Sequence, residues 1–163
     1  MTEDTVARIV EQWTGERPDL DLAPMLVVAR VIRLAHLLDP LLRPPFAAAG
    51  LSNGDFDLLA ALRRAGPDYA ARPVRLSRSL LVTTGAITKR LDRLEAAGLV
   101  ERDPSDDDGR GKLCRLTAAG LDLTDRLIGV HLENQARVLS GLSPSEREQL
   151  QRLLARLCAD LES

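Results

Sequence analysis

The sequence predicts a mainly α fold with one small β-hairpin, and three observations carry that expectation. Trp13, Phe46, Phe56 and Tyr69 are the only aromatic side chains, so Leu, Val and Ala supply most of the 45% apolar content, a composition suited to packed helices. Apolar residues recur at three- and four-residue spacing along most of the chain. That period breaks decisively once, between Leu99 and Leu116, where two short extended stretches flank DPSDDDGRG. A length of 163 residues suits one domain, or one compact unit with helical extensions.

Each element has a local reason. Val6, Ile9, Val10 and Trp13 follow i, i+3, i+4, i+7 spacing and predict a short amphipathic helix over residues 3 to 14. GERPD ends it. Pro24 suits the first turn of a second helix, residues 24 to 38, with Leu26, Val27, Val31, Leu34, Leu37 and Leu38 as a wide apolar stripe. DPLLRPPFAAAG, with three prolines, predicts a kinked end or a loop with a short turn. Ser52 is placed to cap the next helix, which Gly66-Pro67 ends. Tyr69 to Arg72 predicts an extended link. Pro73 opens a helix to about Leu81, and Thr83 or Thr84 starts another that runs to Ala97 and stops at Gly98. Leu99 to Arg102 and Lys112 to Leu116 are the hairpin strands. Thr117 caps a long helix to about Leu139, and Ser143-Pro144-Ser145-Glu146 is a capping box opening the last one.

Two short helices followed by a hairpin make a winged helix-turn-helix. Residues 46–117 are expected to form this lobe, residues 1–45 an extra helix and a dimerisation helix, and residues 118–163 further dimerisation helices. The flanking stripes carry more apolar surface than one small domain covers, so an intertwined homodimer is expected.

At roughly 100° per residue, Ile87, Leu91 and Leu94 share the inward face of the 83–97 helix. Gly85, Thr88, Lys89, Asp92, Arg93 and Ala96 lie opposite. This small, polar face with two cations fits a major groove about 12 Å wide. Taken alone it fits an ordinary solvated face equally well, and the hairpin downstream tips the balance. There Asp106, Asp107 and Asp108 would be repelled by phosphates, whereas Arg110 and Lys112 would be attracted. A tight loop can turn the aspartates back onto backbone N–H groups and project Arg110 into a narrow minor groove. A solvated acidic turn is the plain alternative. The expected DNA contacts are Thr83, Thr84, Thr88, Lys89 and Arg93 in the major groove, Arg75 and Ser77 on the backbone, and Arg110 with Lys112 in the minor groove.

The run from Leu80 to Thr117 resembles the MarR family of winged-helix regulators. The resemblance is carried by Asp92-Arg93-Leu94-Glu95, Gly98-Leu99-Val100-Glu101-Arg102, Asp108-Gly109-Arg110 and Leu116-Thr117. It implies a homodimer reading a pseudopalindromic double-stranded operator whose half-sites lie roughly 34 Å apart. QWTGERPDLDLAPM, followed by FDLLAALRRAG, resembles the PecS-type, urate-responsive branch of that family. That branch has an extra N-terminal helix with a tryptophan. The resemblance implies that Trp13, Asp57, Arg90 and Arg102 sense a small anionic aromatic ligand such as urate. The chemistry is coherent: an indole stacks a flat ring, and guanidinium groups pair its charge. Arg90 lies about 60° from the inward face of its helix, and an anion should lie near it, with Asp57 the candidate. Alternatives are a packing role for Trp13 with a structural Asp57–Arg90 pair, or a phenolic or drug-like ligand. A helical dimer that binds protein through a degenerate winged helix is the rival function.

Other chemistry is absent from the pattern. No nucleophile–base–orienter set, metal-ligand cluster or phosphate-binding glycine loop occurs, so no enzyme activity, metal or cofactor is expected. Cys114 and Cys158 are expected to be inert thiols. His36, among leucines, is expected at the dimer interface, and a pH-sensitive contact with its symmetry mate is the sharper alternative. With no signal-peptide core and no membrane-length apolar run, a cytoplasmic protein is expected.

Overall fold

The computed structural model describes residues 4–103 and 113–162, and its chain divides into two compact units, Met1–Pro44 and Pro45–Ser163. In the first unit, α1 (Thr5–Glu16) begins at Asp4, whose carboxylate accepts from the amides of Val6 and Ala7 at 3.0 and 3.2 Å. The same carboxylate pairs with Arg30 on α2 (Ala23–Leu42), which ties the two helices together. α2 extends past its expected end at residue 38 and carries Pro40 inside its last turn. The kink expected from the proline cluster is therefore deferred to Arg43. α2 buries no residue in the single chain, and Val27, Val28, Val31, Ile32, Leu34, Leu37 and Leu41 are all exposed.

The second unit holds all but the first residue of α3 (Pro44–Ala48), and then α4 (Asn53–Arg63). Ser52 caps α4 as expected, in a full capping box with Asp55. β1 (Ala70–Ala71), α5 (Pro73–Ser79), α6 (Thr84–Ala96), β2 (Val100–Arg102) and β3 (Cys114–Leu116) follow. The extended link at residues 69–72 becomes a third strand. The sheet is antiparallel in the order β1-β3-β2, with Ala70 opposite Arg115 and Val100 opposite Leu116. Phe56, Leu58, Leu59, Leu62, Leu76, Ile87, Leu91, Leu94, Val100, Cys114 and Leu116 form the core between α4, α5, α6 and the sheet. Burying an aliphatic side chain of this size contributes about 1.5–3 kcal/mol.

α7 (Ala118–Val138) starts against the α6–β2 turn. The Thr117 hydroxyl donates to the Gly98 carbonyl at 2.7 Å and accepts from the Gly120 amide at 3.0 Å, while the Thr117 N–H donates to the Leu99 carbonyl at 3.1 Å. Arg63 pairs with Asp125 at 2.7 Å and lies over the Tyr69 ring, linking α4, α7 and β1. After a short 3-10 turn, α8 (Pro144–Glu162) exposes Leu153, Leu154, Leu157 and Leu161.

Candidate nucleic-acid interface

α5 and α6 are joined by a four-residue turn, Leu80 to Thr83. The Thr83 hydroxyl accepts from the Ala86 amide at 3.3 Å and caps α6. Ile87, Leu91 and Leu94 are buried, which turns Thr83, Thr84, Gly85, Thr88, Lys89, Asp92 and Arg93 outward. The inward and outward faces of α6 are thus the ones its periodicity predicts. Thr88 donates to the Thr84 carbonyl at 3.0 Å, which leaves its methyl and hydroxyl lone pairs on the exposed face.

Two expected contacts look different in place. Ser77 is buried, and its hydroxyl donates to the Val74 carbonyl at 3.0 Å, so it has no side chain to offer a duplex. Arg75, on the same helix, is exposed. Arg93 donates to Asp55 at 2.6 Å, yet 56% of its side chain stays exposed, against 6% for the aspartate. The guanidinium therefore braces α6 against α4 with one edge and keeps the other in solvent. Asp55 is the residue that sequence reasoning missed. Burial alone would raise its pKa, but hydrogen bonds from the Ser52 hydroxyl and amide, together with Arg93, more than offset this and lower it. The Ser-x-x-Asp spacing after Leu51 was the available signal. Arg110 and Lys112 lie outside the described residues.

The four residues expected around a ligand are distributed as follows. Arg90 donates to the Gly54 carbonyl at 3.3 Å. Its guanidinium lies so close to Gly54 that a Cβ there would be 2.3 Å from Cζ. Asp57 makes no direct bond to Arg90. Its carboxyl is pushed above its ordinary pKa by the protein packed around it, despite the opposing attraction of Arg90, His131 and Arg64. His131 sits beside the stacked rings of Phe46 and Phe56, at 5.2 and 5.6 Å. Arg102 pairs elsewhere, with Asp92 at 2.6 Å and Glu95 at 3.1 Å on the C-terminal half of α6. Trp13 belongs to the N-terminal unit and is 47% exposed. Cys114 is buried beneath Arg102, and burial raises its thiol pKa; Cys158 is exposed.

Charge sharpens the picture. From Tyr69 to Leu91 the chain carries Arg72, Arg75, Arg78, Lys89 and Arg90 and not one carboxylate, within a protein of formal net charge −2. Carboxylates enter the helix-turn-helix only from Asp92 onward, on the C-terminal half of α6, so its N-terminal part carries the electrostatic footprint of a phosphate-binding surface. Among the described residues no cluster of His, Cys, Asp or Glu could hold a metal ion, and no helix is long and apolar enough to cross a membrane.

A helix-turn-helix flanked by a three-stranded sheet, with a basic surface leading into its second helix, defines a winged-helix regulator. The chain belongs to the MarR family of DNA-binding transcriptional regulators, whose pattern it matches over residues 49–111. It is 41% identical over 152 residues to the HTH-type transcriptional regulator PecS of Dickeya dadantii, spanning 93% of this chain and 92% of that one. It is 32% identical to the multiple antibiotic resistance protein MarR of Escherichia coli over 77% of this chain and 88% of the relative. Among solved structures, a mutant MarR from E. coli complexed with operator DNA superposes with a TM-score of 0.70 at 29% identity, over 85% of this chain and 99% of that one. AbsC, a MarR family regulator from Streptomyces coelicolor, shares the fold with a TM-score of 0.77 at 22% identity, over 88% and 97% of the two chains.

Proposed function

We propose that this chain is a cytoplasmic, homodimeric repressor that grips a pseudopalindromic operator and is released by a small anionic aromatic ligand such as urate. The observation that carries the DNA part is the carboxylate-free basic run from Tyr69 to Leu91, displayed on a helix-turn-helix whose second helix is capped, braced and outward-facing. Thr83, Thr84, Thr88, Lys89 and Arg93 face the major groove, Arg75 meets the backbone, and Arg110 with Lys112 enters the minor groove. The dimer is supported by the exposed apolar stripes of α2 and α8, which a second copy would cover. In this reading residues 1–45 and 118–163 build the dimer and residues 46–117 read DNA.

Operator binding measured across salt tests the first claim. A protein making six to ten phosphate contacts should lose roughly 10³–10⁵ in affinity between 50 and 200 mM salt. A flat salt profile would remove the duplex as partner and favour a protein ligand.

Ligand sensing is supported by the resemblance of the run around Trp13 to the urate-responsive branch and by Arg90, whose guanidinium bonds the Gly54 carbonyl at a long 3.3 Å and is therefore easily drawn to an anion. Arg90 stands on α6, so its displacement couples a ligand to the reading helix. By linkage, DNA weakens the ligand by the factor that the ligand weakens DNA. Trp13→Phe and Arg90→Ala should each blunt urate-driven release from the operator while most DNA affinity survives. An unchanged urate response in both variants would overturn these two assignments; release by phenolates alone would change the ligand class.

A further inference from the structure

Leu81 occupies a glycine's position and leaves its side chain in solvent. Its φ is +53°, in the left-handed region, and it is 88% exposed, the most exposed large apolar side chain described. The turn is a helix C-terminal reversal: the Val82 N–H donates back to the Ser77 carbonyl at 3.1 Å. The same protein makes the same reversal after α6. There the Leu99 N–H donates to the Leu94 carbonyl at 2.9 Å, and the left-handed residue is Gly98, at φ +70°. Glycine is the ordinary choice because a Cβ disfavours this conformation. At residue 81 the chain instead accepts both backbone strain and an exposed leucine.

The surroundings say what the side chain meets. Leu81 stands two residues before the α6 N-cap, so its Cα is within about 7 Å of the residue that opens the reading helix. It lies in the middle of the run that carries only cations. A partner docked there is polyanionic yet must offer apolar surface. In a duplex major groove the apolar feature is the 5-methyl group of thymine. We propose that Leu81 is a base-reading residue that seats against a thymine methyl beside the bases faced by α6. The strained turn serves to aim it outward. This rests on the DNA-binding reading above and adds a specificity determinant outside the reading helix.

The test uses the full-length protein and a duplex that it selects from a random-sequence pool. Each thymine of that duplex is replaced in turn by deoxyuridine, which removes only the methyl. Wild type should lose about fourfold in affinity, the worth of one buried methylene-sized group, at one thymine per half-site. Leu81→Gly should fold with an equal or higher thermal midpoint, bind the parent duplex less tightly by roughly the square of that factor, since both protomers lose the contact, and ignore that replacement. Leu81→Asn, which also tolerates the turn, should match it. Parent affinity retained in both variants, or the same deoxyuridine losses in variants and wild type, would overturn the assignment. A wild type that selects no duplex would overturn the DNA-binding reading itself.

Discussion

Gly120→Ala is expected to destabilise the fold by about 3 kcal/mol, the upper part of the range for forcing an extra carbon into a packed site. In a helix interior this substitution ordinarily stabilises, by roughly 1 kcal/mol. The opposite sign follows from geometry. A Cβ on Gly120 would stand 2.0 Å from the Leu99 carbonyl oxygen and 2.9 Å from its carbon. Those are backbone atoms, held in place by the Thr117 amide and by the bond from Leu99 to Leu94. No flexible side chain can yield, so α7 must lift off the α6–β2 turn. At the size of this chain the loss lowers the thermal midpoint by roughly 6–12 °C. Gly85→Ala is the control: nothing lies within 4 Å of that position on α6, so the midpoint should hold or rise. A midpoint unchanged in Gly120→Ala would mean that the α7 start is looser than its contacts indicate.

Asp55→Ala should cost about 2–3 kcal/mol, since it removes a helix cap worth about 1 kcal/mol and the buried partner of a charged hydrogen bond. Asp55 holds the Ser52 amide at 3.0 Å and its hydroxyl at 2.6 Å, besides Arg93. Asp55→Asn keeps the shape but not the charge and should fall between. The pH dependence has a definite sign. The folded-state pKa of Asp55 lies below its ordinary value, near 3.9 in an unfolded chain. Its contribution is therefore present above about pH 4 and is lost as pH falls through the folded value. Urea midpoints of wild type and Asp55→Asn should converge on acidification through that window. A gap that persists at low pH would mean that the charge is not what stabilises the site. Operator affinity should fall in both variants, because Arg93 loses the contact that braces α6 against α4.

The features legible in the sequence are those decided within a few residues. Thr83, Thr117 and Ser52 cap the helices they were expected to cap, and Gly98 supplies the left-handed turn that stops α6. The inward triad of Ile87, Leu91 and Leu94 followed from periodicity alone. Pro40 was less legible: near a helix end the lost hydrogen bond and the clash were not enough to stop α2. Contacts across the chain were only partly visible: α4 was the expected neighbour of Arg90 through Asp57, but its bonding partner was not. Arg93 meets Asp55 from 38 residues away, and Arg90 rests on Gly54 from 36 away, pairings that only the packing of α4 on α6 creates. Ser77 looked like a surface hydroxyl because polarity says nothing about which side of a seven-residue helix is buried.

The contacts around α6 leave little play. Its flank is tied to α4 through Arg90 and Arg93, its last turns to β2 through Arg102, and the turn beyond it to α7 through Thr117 and Gly120. Such a reading head moves as one body rather than bending to meet an ill-spaced target. In the proposed dimer, tolerance for inserted or deleted base pairs between half-sites would then come from the DNA or from the joint between protomers, which would make the separation of the two heads the quantity on which discrimination turns.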